Sequence, residues 1–243
     1  MGLSDIPQIV KGRGLFTAMT PIIRVDRGGQ VVNLPFTREQ FFEVFAAYNR
    51  SLWPFALALW AYAVVAAVLL ARDSRRRRFA AVMLAVQWAW AGAAYHAAFF
   101  AAINPAAWVF ATLFVIEGGL LVWCGVIRDK LRFSATGSLR HVAAWTLLIY
   151  ALLYPLLAQA EGHAFPRAPT FGVPCPTTFL TIGWLFAADP PWPKVVALIP
   201  IGWAFAGGSA AVLLGVHADL MLWVAGIALT ASLLVSAGHR VDA

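Results

Sequence analysis

Charge is scarce in this chain. Asp, Glu, Lys and Arg make up 12% of its 243 residues, against about 25% in an ordinary soluble domain. That shortage argues against a soluble enzyme. It also excludes a disordered chain, which combines low hydrophobicity with high net charge. Cysteine is scarce too, at 2 residues, so a disulfide scaffold is excluded. The sequence has no phosphate-binding glycine loop, no zinc-protease helix and no serine-nucleophile elbow. It lacks the alternating apolar and polar strands of a transmembrane barrel. No internal repeat is clear, which counts against an inverted-repeat transporter. Met1–Gln30 holds no apolar core of the about 7–15 residues that a signal peptide needs.

What the chain has is apolar length. Hydrophobic residues make up 61% and the mean hydropathy is +0.76. A spanning helix needs about 20 predominantly apolar residues. Seven runs qualify: Leu52–Ala71, Phe79–Ile103, Pro105–Ile127, His141–Ala158, Val173–Ala188, Val195–Val216 and Leu220–Ala237. The fold expected is an all-α polytopic transmembrane bundle of about seven spans. The fifth run is short and opens on Pro174 and Pro176, so six spans result if it is re-entrant. Threaded seven times, the chain puts Arg72, Arg75, Arg76, Arg77, Arg78, Arg128, Lys130, Arg132, Arg140, Lys194 and Arg240 on one side. The other side receives Arg167, with Arg38 and Arg50 just before the first span. The positive-inside rule places the N-terminus outside and the C-terminus inside a bacterial cytoplasmic membrane. Topology already explains the basic residues, so nucleic acid is not an expected partner. Arg75–Arg78 are expected to set topology, with contact to anionic lipid as the alternative.

Residues 1–34 read as an extended arm, with Gly12, Gly14, Gly28 and Gly29 and interruptions at Pro7 and Pro21. Residues 35–51 form an amphipathic helix. Thr37 followed by Gln40 fits a capping box, and Phe36 with Phe41 a hydrophobic staple. Phe41, Val44, Phe45, Tyr48 and Leu52 recur at helical spacing opposite Arg38, Glu39, Glu43 and Arg50. An interfacial anchor before the first span is expected. The bundle then occupies 52–237, and 238–243 is a tail.

The stretches LPFTREQFFEVFAAYNRSLWP, AINPAAW, HAFPRAPTFGVPCPTT and GGSAAVLLGV resemble DUF6064, a bacterial family of uncharacterised membrane proteins. The resemblance runs from about Leu34 to near the C-terminus. It implies a multi-pass membrane protein and carries no activity, cofactor or site residue.

Few groups within the runs can do chemistry. Glu117 is the one carboxylate inside a span, and a charge at the bilayer centre costs at least about 2.5–3.5 kcal/mol. It reads as a proton or cation site, or as a neutral acid bonding a neighbouring helix. His96, beside Tyr95 and above Gln87 in the second run, could share a proton with Glu117, ligate a metal or bond a neighbour. No second histidine is placed for a bis-His haem, and the last span has no lysine for a retinal Schiff base.

The Pro-rich stretch 161–176 brings His163 and Cys175 to the outer face, and the next outer loop adds His217 and Asp219. These are ligand types for zinc or copper, though their spacing fits no known closed site. The bland alternative is a packed loop shaping the fifth run. Cys124 and Cys175 are expected at opposite ends, too far apart for a disulfide. Ala93, Ala97 and Ala101, and Gly207, Ala211 and Gly215, form small-residue rows that let helices approach closely.

The role expected first is a non-catalytic accessory or structural subunit, with membrane lipids and a protein partner or second copy as its contacts. One alternative is a small-solute or ion transporter using Glu117 and His96. The other is a metal- or thiol-dependent membrane protein using His163 and Cys175. An enzyme is the less favoured reading, open only through that metal or thiol chemistry, and no cofactor is expected apart from that metal.

Overall fold

The computed structural model describes residues 23–25, 31–72, 77–134 and 139–238. Most of the N-terminal arm, Arg75, Arg76 and the C-terminal tail lie outside them. A short antiparallel ribbon comes first, β1 (Ile23–Val25) paired with β2 (Val31–Asn33). The rest is helical.

The expected capping box forms. The Thr37 N–H donates to Gln40 Oε1 at 2.8 Å and the Gln40 N–H donates to Thr37 Oγ1 at 3.2 Å. The staple forms as well, with Phe36 and Phe41 stacked at 6.1 Å. From this start α1 runs unbroken over Arg38–Arg72, 35 residues. The amphipathic stretch and the first span are therefore one helix, with Pro54 inside it. At 1.5 Å per residue it is about 52 Å long, more than the about 30 Å of a hydrocarbon core. Phe42, Val44, Phe45 and Tyr48 are buried. They pack against protein, with Phe45 stacked on Tyr95 and Tyr48 edge-on to Phe99.

The second expected span is built of three differently wound pieces: α2 (Arg77–Trp90), a π-helix over Ala91–Phe99 and a 3₁₀ turn over Phe100–Ala102. Helix α3 (Ala107–Leu121) follows, and it too turns π over Val122–Ile127. These two elements pack tightly. A Cβ on Gly92 would lie 2.8 Å from the Ala111 carbonyl. One on Gly125 would overlap Ala81, 3.2 Å from Leu131 Cδ1. Helix α4 spans Leu139–Ala160.

Helix α5 (Pro174–Ala187) starts where Pro174 and Pro176 favour a first turn. Its 14 residues reach about 21 Å. Thirteen of them are buried, so α5 has no lipid face and is the bundle's central helix. Thr177, Thr178 and Thr181 satisfy their hydroxyls on carbonyls four residues back, each at 2.9 Å. The loop before α5 sinks into the protein at Ala168, Phe171 and Val173 and supplies the depth that α5 lacks. A 3₁₀ turn over Lys194–Ala197 leads into α6 (Leu198–Leu214), which ends on Gly215 at φ 69°. Another over His217–Leu220 leads into α7 (Met221–Gly238).

Contacts sort the connections into two ends. At the first end Phe36 meets Phe100, the Arg167 guanidinium pairs with Glu43, and the His217 N–H donates to Glu161 at 3.0 Å. At the second end Arg78 lies 3.7 Å from Asp129, the Arg140 guanidinium donates to the Ala188 carbonyl, and Lys194 Nζ donates to the Leu233 carbonyl. Among the described residues seven helical segments thus run alternately between the ends, and five helices are long and apolar enough to cross a membrane: Arg38–Ala71, Ala107–Ile127, Leu139–Ala160, Lys194–Leu214 and His217–Val235. The Gly207–Ala211 row proves internal, with Gly207 against Leu222, whereas Ala93 is exposed.

Candidate functional site

Two groups of polar side chains are buried in the bundle. One lies toward the first end and is tied together. Asn49, fully buried on α1, donates from Nδ2 to the carbonyls of Pro166 at 2.6 Å and Ala168 at 2.7 Å, and its Oδ1 accepts from Thr170 at 2.6 Å. Nearly two turns earlier on the same helix, Glu43 takes Arg167. Tyr48 Oη accepts from the Trp90 indole at 2.8 Å and donates to the Phe171 carbonyl at 3.0 Å. Gly172 fits between them at φ +78°. A Cβ there would overlap Tyr48 Oη and stand 2.6 Å from Trp90 Cδ1.

The network continues at the start of α7. Asp219 accepts from the Tyr154 hydroxyl, and the Cys175 thiol faces the same carboxylate. Tyr150, one turn before Tyr154, donates to the Ala218 carbonyl at 2.7 Å. Two tyrosines of α4 therefore fix the entry to α7, and the pivot is a carboxylate whose partners are all supplied by the fold.

The second group lies between α2, α3 and α6. His96 sits in the π-wound stretch, fully buried. Aromatic rings enclose it: Phe114 at 4.8 Å, Trp203 at 5.1 Å, Tyr95 at 5.3 Å, Phe110 at 5.6 Å and Phe100 at 5.9 Å. Glu117 is fully buried three residues along α3 from Phe114, one helical turn away. Neither nitrogen of His96 and neither oxygen of Glu117 has a hydrogen-bond partner among the described residues. Gln87 is half satisfied: Nε2 donates to the Leu59 carbonyl at 2.9 Å, while Oε1 is unpartnered. Buried polar groups are almost always hydrogen-bonded, so four unpartnered atoms on two ionisable side chains, one of them packed on Phe114 and the other a turn along α3 from it, set this region apart.

The outer ligand candidates separate. Cys175 and Asp219 come together in the interior. His217 is exposed and pairs with Glu161, Nδ1 lying 3.9 Å from Oε2. His163 stacks on Phe42 at 4.3 Å, and the Arg38 guanidinium sits 5.4 Å from the same ring. Partial burial, with Arg38 adding to it, holds the His163 imidazole below its ordinary pKa. Among the described residues no three His, Cys, Asp or Glu side chains converge as a metal site. The reason is chemical: the stacked and solvated imidazoles do not face the buried thiol and carboxylate. Both cysteines are free. Of the arginine run, Arg78 meets Asp129, and Arg77 opens α2.

Some participants carry no sequence signal. Asn49 and Tyr154 act on partners 117 and 65 residues away, and Trp203 is one tryptophan among 11. At the second end Ser134 Oγ sits 2.9 Å from His141 Nε2 and donates to Asp189 at 2.7 Å. That link ties the α3–α4 loop, α4 and the α5–α6 loop, and nothing in the spacing announces it.

Long apolar helices around a buried helix with polar groups sealed inside define a multi-pass helical membrane protein. Within that class the chain belongs to DUF6064, a family of unknown function, whose model matches residues 38–240. No curated protein and no solved structure matches the chain.

Proposed function

We propose that the protein is a membrane transporter or channel for a small cation or proton, with Glu117 and His96 as its binding groups. One observation carries this reading: both side chains are wholly buried in the helical interior, and none of their four polar atoms is hydrogen-bonded among the described residues. An unpartnered ionisable group inside a membrane protein is costly to keep, and such groups mark ion pathways and proton relays. The accessory-subunit expectation rests on the small-residue faces, the N-terminal arm and a scarcity of polar groups within the spans. The interior instead buries Asn49, Gln87, His96, Glu117, Thr177, Thr178, Thr181 and Asp219, which weakens that premise.

In this reading all seven helical segments cross. The two that fall short in length or regularity, α2 with its π stretch and the buried α5, line the interior beside the polar groups. The second end carries Arg78, Arg128, Lys130, Arg132, Arg140 and Lys194, so it faces the cytoplasm of a bacterial inner membrane and the start of α1 lies outside. The extra length of α1 anchors the protein at the outer interface.

Flux into proteoliposomes reconstituted with the full chain tests the assignment. The wild type is expected to conduct, and Glu117→Gln to fall to the level of empty liposomes with its thermal unfolding unchanged. A folded wild type that conducts no cation, and that leaves its native membrane bound to a stoichiometric protein partner, would replace this reading with that of an accessory subunit.

A further inference from the structure

The inference here rests on the ion-handling reading and names its cargo. The surroundings of His96 are unsuited to a metal or alkali cation. A cation that sheds its water needs replacement ligands: six to eight oxygens for calcium, an octahedral set for magnesium, four nitrogen or sulfur donors for structural zinc. The cage offers one imidazole and a set of rings. No third His, Cys, Asp or Glu converges there among the described residues. The rings also pack on one another, with Phe114 against Trp203 at 5.0 Å, Phe110 against Trp203 at 5.3 Å and Trp88 against Phe114 at 4.3 Å. An organic cation would have to part them.

A proton needs one lone pair and almost no volume. We propose that the cargo is a proton, taken up by His96 and passed to Glu117. In the step, neutral imidazole accepts the proton at one ring nitrogen. The imidazolium then gives it through intervening water to the Glu117 carboxylate, a turn along α3 from Phe114, leaving neutral imidazole and a neutral acid. Glu117 releases it on the far side and is again a carboxylate. No electron moves, and one positive charge crosses per cycle.

Two features of the fold suit this step. His96 stands edge-to-face on Phe114 at 71° and on Trp203 at 73°. Aromatic rings pair edge to face in this way, so the cage fixes the orientation of the imidazole without a hydrogen bond. The helices bearing the two groups are also both π-wound, over Ala91–Phe99 around His96 and over Val122–Ile127 one turn beyond Glu117. Single π turns inside α-helices recur at functional sites.

The titratable groups around the site are Tyr95 on its own helix, Glu117 on α3, Cys124 in the π turn after it, and Cys175 and Asp219 beyond Trp203. Asp219 lies toward the first end, and the indole N–H of Trp203 donates only, so Trp203 itself cannot relay the proton.

The deciding experiment loads proteoliposomes with a pH-sensitive dye, with choline as the sole other cation. The expected result is a change of internal pH that follows an imposed pH gradient and membrane potential, and that is lost in both Glu117→Gln and His96→Gln. Sodium or potassium flux without a pH change would overturn the proton assignment and leave the cation-transporter reading standing. No flux of any of these ions through the folded protein would overturn both. Should the variants fail to fold, infrared difference spectra of the wild type decide. A buried carboxylic-acid carbonyl band that comes and goes with pH supports the relay, and a conducting protein whose carboxylic band never changes overturns it.

Discussion

The bundle buries polar groups in two places and treats them in opposite ways. Toward the first end, Asn49, Tyr48, Tyr154 and Asp219 are bonded to backbone or to one another across four separate segments. Between α2, α3 and α6, His96 and Glu117 are equally buried and have no hydrogen bond among the described residues. Burial alone therefore does not separate structure from function here; satisfaction does. A saturated network stabilises one arrangement and specifies it. An unpartnered acid and base destabilise the resting fold, and they retain free valence for something that comes and goes.

The comparison breaks most sharply at Gly172. Its positive φ is costly for any other residue, and the space a Cβ would take belongs to Tyr48 and Trp90. Gly172→Ala should lose about 3–4 kcal/mol, from backbone strain plus the lost Tyr48 bonds. The measurement is thermal or denaturant unfolding in detergent, and a melting curve like the wild type would mean that the loop is not held as described. Asn49→Ala comes next. It strips partners from the Pro166 and Ala168 carbonyls and from the Thr170 hydroxyl. At about 1 kcal/mol per bond, with added cost for groups left buried, the loss should be about 2–3 kcal/mol. Limited proteolysis should cut the variant within 161–173 first.

The same logic reverses sign in the other region. Glu117→Leu removes an unpartnered carboxyl and breaks no hydrogen bond, so it should stabilise the fold by about 1 kcal/mol while abolishing flux. A destabilised Glu117→Leu protein would show that the carboxyl is bonded after all, and the distinction between the two regions would fall.

How much of this was legible in advance follows a physical line. Local signals were readable. Thr37 and Gln40 cap α1 as their spacing requires, Phe36 staples Phe41, and Glu117 stands out because a carboxylate in an apolar run has no cheap place to go. The membrane-length helices follow from composition. What was not legible depends on packing between distant segments. A 14-residue apolar run beginning with two prolines reads equally as a short span or a re-entrant piece, and only its neighbours make it the centre of the bundle. The stretch 35–51 has the pattern of an interfacial helix, yet Phe42, Phe45 and Tyr48 face protein because the loop at 163–171 folds over them. The metal candidates His163, Cys175, His217 and Asp219 share one end but not one side of a packed wall. The π turns around His96 carry no proline, and their one glycine, Gly92, is a packing residue against Ala111, so composition gives little warning of them.

The smallest expected effect lies at the rim of the saturated region and concerns pH. His163 packs on Phe42 under the Arg38 guanidinium, and this holds its folded pKa below the ordinary value of about 6.5. A lowered folded pKa means that the unfolded chain binds more protons in the window between the two values. Stability then rises with pH across that window. The contribution is complete above the unfolded pKa and is lost as pH falls through about 6.5 toward the lower folded value. The site is partly exposed, so solvent screens it and the change in melting temperature should be slight. His163→Phe keeps a ring on Phe42 and cannot titrate. It should flatten that part of the pH profile, whereas Glu117→Leu should leave it untouched because the two sites share no partner. If His163→Phe left the profile unchanged, the ring on Phe42 would be a packing contact with no protonic consequence.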